Sequence, residues 1–92
     1  MLTAFVMINA DADSIPEAAS AIVEIEGVTE VYSVTGDWDL IAMVRVRDHD
    51  KLAEIIPNQL SKVPGVVGTQ TQLAFRAYSK HDLEAAFSLG LD

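Results

Sequence analysis

The chain has 92 residues, half of them apolar, no cysteine, and 14 acidic against 6 basic residues, for a formal net charge of −8. That length allows one small domain with a modest core, which self-association would complete. The acidic balance argues against a face for nucleic acid or for an anionic membrane, the absence of cysteine removes disulfides and thiolate metal sites, and no apolar run approaches the roughly 20 residues of a bilayer span. Met1-Leu2-Thr3-Ala4-Phe5 lacks the basic start of a secretory leader, so a cytoplasmic protein is expected.

Residues 2–9 alternate, Leu2, Ala4, Val6 and Ile8 against Thr3, Phe5, Met7 and Asn9, as a strand does. Asp11 and Asp13 fall in a solvated loop before a first helix. Ser14 with Glu17 three residues on has the capping-box pattern. Ile15, Ala18, Ala19, Ile22 and Ile25 form the apolar stripe of that helix, and Gly27 stops it. Two strands follow, Val28-Thr29-Glu30-Val31-Tyr32-Ser33-Val34 and Leu40-Ile41-Ala42-Met43-Val44-Arg45-Val46. Between them lies Thr35-Gly36-Asp37-Trp38-Asp39, which reads as a hairpin turn. Asp48 or Asp50 caps a second helix with the stripe Leu52, Ile55, Ile56, Leu60 and Val63. Pro57 inside that stripe removes a backbone donor and predicts a kink or a split. Gly65 ends the helix, and a fourth strand is predicted from about 66 to 77. A short last helix is expected from Ser79 and Asp82 as its box, with Leu83, Ala86 and Phe87 facing inward and Gly90 as its stop.

The chain partly matches itself. Phe5-Val6-Met7-Ile8 falls on Met43-Val44-Arg45-Val46, and Ile22, Ile25, Gly27 and Val28 fall on Leu60, Val63, Gly65 and Val66. Two βαβ units in series give an α+β, ferredoxin-like βαββαβ fold. Trp38, Leu40, Ala42, Val44 and Val46 are expected to meet the two helices. Phe5, Met7, Ile41 and Met43 lie on the face that two crossover helices leave open. That face, roughly 400 Å² in outline, is large enough to mark a contact site. The expected solution is a homodimer packed sheet against sheet, of the dimeric α/β barrel type. The alternative is cover by the C-terminal helix.

The hairpin carries two carboxylates and the only Trp. Gly36 and Asp37 suit the turn itself, because Gly tolerates positive φ and Asp bonds its own backbone. Trp38 reads as packing. Asp39 opens the uncovered face and is either a solvated strand residue or a partner for an ammonium group. On the fourth strand Thr69 and Thr71 share a face. They are either β-formers on a half-exposed strand or hydroxyls for a ligand carboxylate. Taken together they outline an amino-acid pocket. His49 and His81 read as solvated helix-start residues; no nucleophile–base pair, metal spacing or phosphate loop stands out. Arg45, Arg47 and Arg76 are candidates for surface ion pairs with the acidic groups.

The run Val31-Tyr32-Ser33-Val34-Thr35-Gly36-Asp37-Trp38-Asp39-Leu40-Ile41, with Val63-Pro64-Gly65-Val66, Thr69-Gln70-Thr71-Gln72-Leu73 and the opening Ala4-Phe5-Val6-Met7-Ile8, resembles the effector-binding (RAM) domain of the Lrp/AsnC regulators. The resemblance covers about residues 2–78, and residues 1–78 are expected as the ligand-binding domain with 79–92 as a helical tail. It implies dimers that assemble into an octamer or similar ring, with an amino-acid effector between dimers. It also implies that Gly36 and Asp39 hold the ligand's amino group, with Thr69 and Thr71 near its carboxylate. Asp37 and Trp38 are additional candidates, Trp38 standing where members often carry Tyr. Regulators of this family carry a helix-turn-helix domain that is not present in these 92 residues, so a stand-alone RAM protein is expected, without DNA binding of its own.

The function expected is that of a non-catalytic, oligomerising effector-binding protein, with no cofactor and no metal, acting by co-assembly with full-length Lrp/AsnC-type regulators. The rival is a small ferredoxin-like dimeric enzyme of the monooxygenase or isomerase type. It would need a polar group on the core face, where the sequence offers Leu40, Ala42, Val44 and Val46.

Overall fold

Strand β1 (Leu2–Ala10) is the spine of a four-stranded sheet in a computed structural model that describes residues 1–80. Helix α1 (Ile15–Val23) follows, then β2 (Val28–Ser33), β3 (Leu40–Val46), α2 (His49–Asn58) and β4 (Val66–Ala74). The spatial order is β2-β3-β1-β4, and every neighbouring pair is antiparallel. With both crossovers helical, this is the ferredoxin-like α+β arrangement that the repeat predicts.

The alternation along each strand decides what is buried. Ala4, Val6 and Ile8 of β1 and Leu40, Ala42 and Val44 of β3 are fully buried beneath the helices. They meet Ala18 and Ile22 of α1 and Leu52 and Ile55 of α2, with Leu60 completing the cluster. Burying one such Leu or Ile side chain contributes about 1.5–3 kcal/mol, so these few residues hold the layers together. Ile15, Ala19, Ile25, Ile56 and Val63 pack around the edge of this core, as both stripes predict.

Gly27 and Gly65, matched by the internal repeat, play the same part after each helical segment. Both have positive φ, 102° and 95°. Both carbonyls accept a 2.8 Å bond from a strand or strand end, from Arg45 N–H and Asp11 N–H respectively. A Cβ on Gly27 would stand 2.6 Å from Ile55 Cδ1, and one on Gly65 would stand 2.7 Å from Ser14 Cβ, so close approach as well as φ requires glycine at both.

Several boundaries depart from the sequence expectations. Asp13 lies in a 3-10 turn (Ala12–Ser14) rather than an open loop. Ser14 precedes α1 but makes no capping bond, so the predicted box does not form: its ψ of 4° is not the extended backbone that aims a hydroxyl at the helix. The α1 helix ends at Val23, before Ile25. Asp48, by contrast, caps α2 in extended backbone, its Oδ1 accepting from Lys51 N–H at 3.0 Å. Pro57 splits the second helical stretch: α2 ends one residue later and a 3-10 turn (Leu60–Lys62) carries Leu60 into the core. The fourth strand stops at Ala74 rather than near 77, leaving Phe75 98 % exposed. The expected last helix, from its Ser79 cap to Gly90, falls beyond residue 80 for nearly all its length, outside the described residues.

Candidate functional site

The register shows which side chains share a face. Ile8 pairs with Leu40 on one side and Thr69 on the other, and Val6 pairs with Ala42 and Thr71. These rows face the helices. Met7 pairs with Ile41 and Gln70, and Phe5 with Met43 and Gln72; these rows form the face without helices. Within the chain Met7 is already buried, while Phe5, Ile41 and Met43 are half-buried. Tyr32 and Glu30 of β2 extend the same face, opposite Ile41 and Met43.

Residues 34–39 connect β2 to β3 beside the end of β1. Gly36 sits at the exposed tip with φ 104° and open space where a Cβ would go. Val34 N–H donates to the Asp39 carbonyl at 3.1 Å, which closes the loop. Asp39 N–H donates to the Ile8 carbonyl at 2.9 Å, extending the β1–β3 ladder by one residue. The Asp39 carboxylate turns toward the end of β1, where its Oδ2 accepts from Ala10 N–H at 3.0 Å. With its amide oriented to suit its neighbours, Asn9 donates to that same Oδ2 at 3.3 Å and to the Asp37 carbonyl at 3.0 Å. Asp39 is therefore a structural latch as well as a candidate ligand group. Its other oxygen, Oδ1, has no partner among the described residues.

The six sequence-selected residues divide into two groups. Gly36, Asp37, Trp38 and Asp39 stay together on the hairpin. Thr69 and Thr71 share a face, half-buried and exposed respectively, but in one chain it is the helix-side face. They lie two strands from the hairpin, about 10 Å across the sheet. Trp38, expected on the core face, is half-buried and does not join the packed core, because regular β3 geometry begins only at Leu40. Asn9 escaped the sequence reading; its only signal was a lone amide ending the row Thr3, Phe5, Met7.

Elsewhere the surface is sparse in chemistry. Tyr32 donates to a Glu30 carboxylate oxygen, and this bond, ahead of the desolvation and the charge of Glu30, raises the Tyr32 phenol above its ordinary value. The ion pair found among the described residues is the exposed Lys51–Glu54 contact at 3.9 Å; none of Arg45, Arg47 and Arg76, the anticipated candidates, pairs with an acidic group among the described residues. A depression of about 380 Å³ lies at the far end of the sheet, between Gly27, Arg47, Lys51 and Ile55. No buried polar or charged side chain interrupts the core among the described residues, and no group of three or more His, Asp or Glu there could hold a metal. No described helix is long and apolar enough to cross a membrane.

The model of the Lrp/AsnC ligand binding domain matches residues 3–83. The chain belongs to that family. An uncharacterized HTH-type transcriptional regulator of Pyrococcus furiosus is 38% identical over 76 residues, 79% of this chain and 51% of the relative. The chain spans about half the length of the curated Lrp/AsnC relatives it matches. Among solved structures, a protein of Thermus thermophilus superposes with a TM-score of 0.82 at 42% identity, over 87% of this chain and 100% of its own. A transcriptional regulator of Neisseria meningitidis, crystallised as a complex with L-methionine, shares the fold at a TM-score of 0.77 and 18% identity, over 85% of this chain and 52% of its own.

Proposed function

We propose that this chain is a non-catalytic, self-associating effector-binding domain that takes a small amino acid at a site between copies. The observation that carries this reading is the Asp39 carboxylate. It stands at the rim of the helix-free sheet face, with one oxygen held by Ala10 and Asn9 and the other without a partner among the described residues. Gly36 leaves the hairpin tip bare, so a ligand can approach the backbone there. An ammonium group supplies donors to that unpartnered oxygen. Thr69 and Thr71 complete the proposal as the hydroxyl half for the carboxylate, contributed by a different copy from the one that supplies Asp39. The family's ligand-binding description and the L-methionine complex of the Neisseria relative support the ligand class.

The proposed assembly is a dimer through the open sheet face, joined into an octamer or similar ring. Regulation would follow by linkage, the ligand favouring whichever assembly binds it more tightly, including assemblies with full-length regulators in the cytoplasm. Calorimetry against the common L-amino acids tests the reading. Binding that is weakened in Asp39→Asn and in Thr71→Val is expected. An absence of heat at millimolar ligand, with the fold intact by circular dichroism, would remove the effector role.

A further inference from the structure

We infer that Asn9 is the positioning residue of the hairpin, and that with Asp39 it makes an acceptor corner that takes a ligand's ammonium end and turns away its carboxylate. The second half of this inference rests on the amino-acid reading above; the first half does not.

Asn9 comes from β1, not from the hairpin, and so fixes one element against another. Its amide has two hydrogens. One goes to Asp39 Oδ2 at 3.3 Å and the other to the Asp37 carbonyl at 3.0 Å. A single side chain thus ties both ends of the segment Asp37-Trp38-Asp39 to the central strand. Ala10 N–H, the next donor along β1, reaches the same Oδ2 at 3.0 Å. Among the described residues, the Asn9 amide oxygen and Asp39 Oδ1 make no hydrogen bond. Both are acceptors, and one carries negative charge, so they suit the three hydrogens of an ammonium group and repel a carboxylate. The neighbour of Asn9 across the sheet is Gly68, and nothing lies within 4 Å of where its Cβ would stand. The corner is therefore open on that flank.

The test uses the full chain and two separate readouts. Trp38, the only tryptophan, lies between the two residues that Asn9 holds, so its acrylamide quenching and fluorescence anisotropy report the hairpin without ligand. Asn9→Ala is expected to raise the quenching constant about twofold, and Asn9→Asp, which keeps the size but loses the donors, is expected to do the same. In calorimetry with the common L-amino acids, Asn9→Ala is expected to weaken binding about five- to tenfold, but to add nothing once Asp39 is already Ala. Analogues that keep the amine and lack the carboxylate are expected to retain competition that des-amino analogues lose. Unchanged Trp38 signals in both variants would overturn the positioning role. Losses that multiply in the double variant, or des-amino analogues that compete equally well, would overturn the acceptor corner. If no amino acid binds the native chain, the effector reading falls and the acceptor corner with it, while the Trp38 readout still decides the role of Asn9.

Discussion

The backbone N–H of Ala10 donates to Asp39 Oδ2 at 3.0 Å, so the carboxylate proposed to hold a ligand also fastens β3 to the end of β1. Loss of the side chain and loss of the charge should therefore separate. Asp39→Ala leaves a part-buried donor unpaired and is expected to cost about 1–3 kcal/mol in urea unfolding. Asp39→Asn retains an acceptor and should cost clearly less, while still weakening amino-acid binding.

Gly27 and Gly36 share a positive φ but not their surroundings. Gly27→Ala combines left-handed strain with a collision against Ile55 Cδ1, and is expected to destabilise by about 2–4 kcal/mol. Gly36→Ala meets open space and should cost about 1 kcal/mol. Thermal unfolding of the two variants side by side checks the difference; equal losses would mean that packing at Gly27 contributes nothing.

The two helix starts should respond unequally. Asp48→Ala removes a formed cap and is expected to cost about 1 kcal/mol. Ser14→Ala should change stability by no more than about 0.5 kcal/mol, since its hydroxyl makes no cap bond. Chemical denaturation midpoints measure both.

The open sheet face carries the proposed self-association. Ile41→Glu places a carboxylate between Met7 and Tyr32. Light scattering after size exclusion is expected to show the native chain as a dimer or larger, and this variant as a monomer with its circular dichroism unchanged. A native chain that elutes as a monomer at micromolar concentration would defeat the assembly.

Tyr32 supplies a pH dependence. Its hydrogen bond to Glu30 raises its pKa in the folded state above the phenol's ordinary value of about 10. A raised folded pKa gives stability that is complete below the unfolded pKa and lost as pH rises through the folded one. The side chain is exposed, so the effect on stability is small and the direct measurement is spectrophotometric. In Glu30→Gln, one tyrosine is expected to ionise at lower pH than in the native chain, and an unmoved titration would show that the bond does not persist in solution.

Much of the fold was legible in the sequence because it is written in alternation and in glycine. Leu40, Ala42, Val44 and Val46 are buried as their spacing predicts, and Gly27 and Gly65 sit where the repeat aligned them. What escaped was relational. Periodicity gives the two faces of each strand but not the register between strands, and a slip of one residue exchanges the faces. For that reason Thr69 and Thr71 could be paired with each other but not placed on the helix side, opposite Asp39. The Ser14 cap failed for a similar reason: its residue type fits, but the 3-10 turn before α1 sets its ψ. Asn9 was invisible because its role depends on a hairpin 29 positions beyond Ala10, the next residue along β1.

The opposed faces of Thr71 and Asp39 have a consequence for physiology. A ligand held by both groups bridges two molecules, so its apparent affinity climbs with protein concentration and fades on dilution. Such a domain would read its own abundance together with that of the metabolite, and would respond only where both are high.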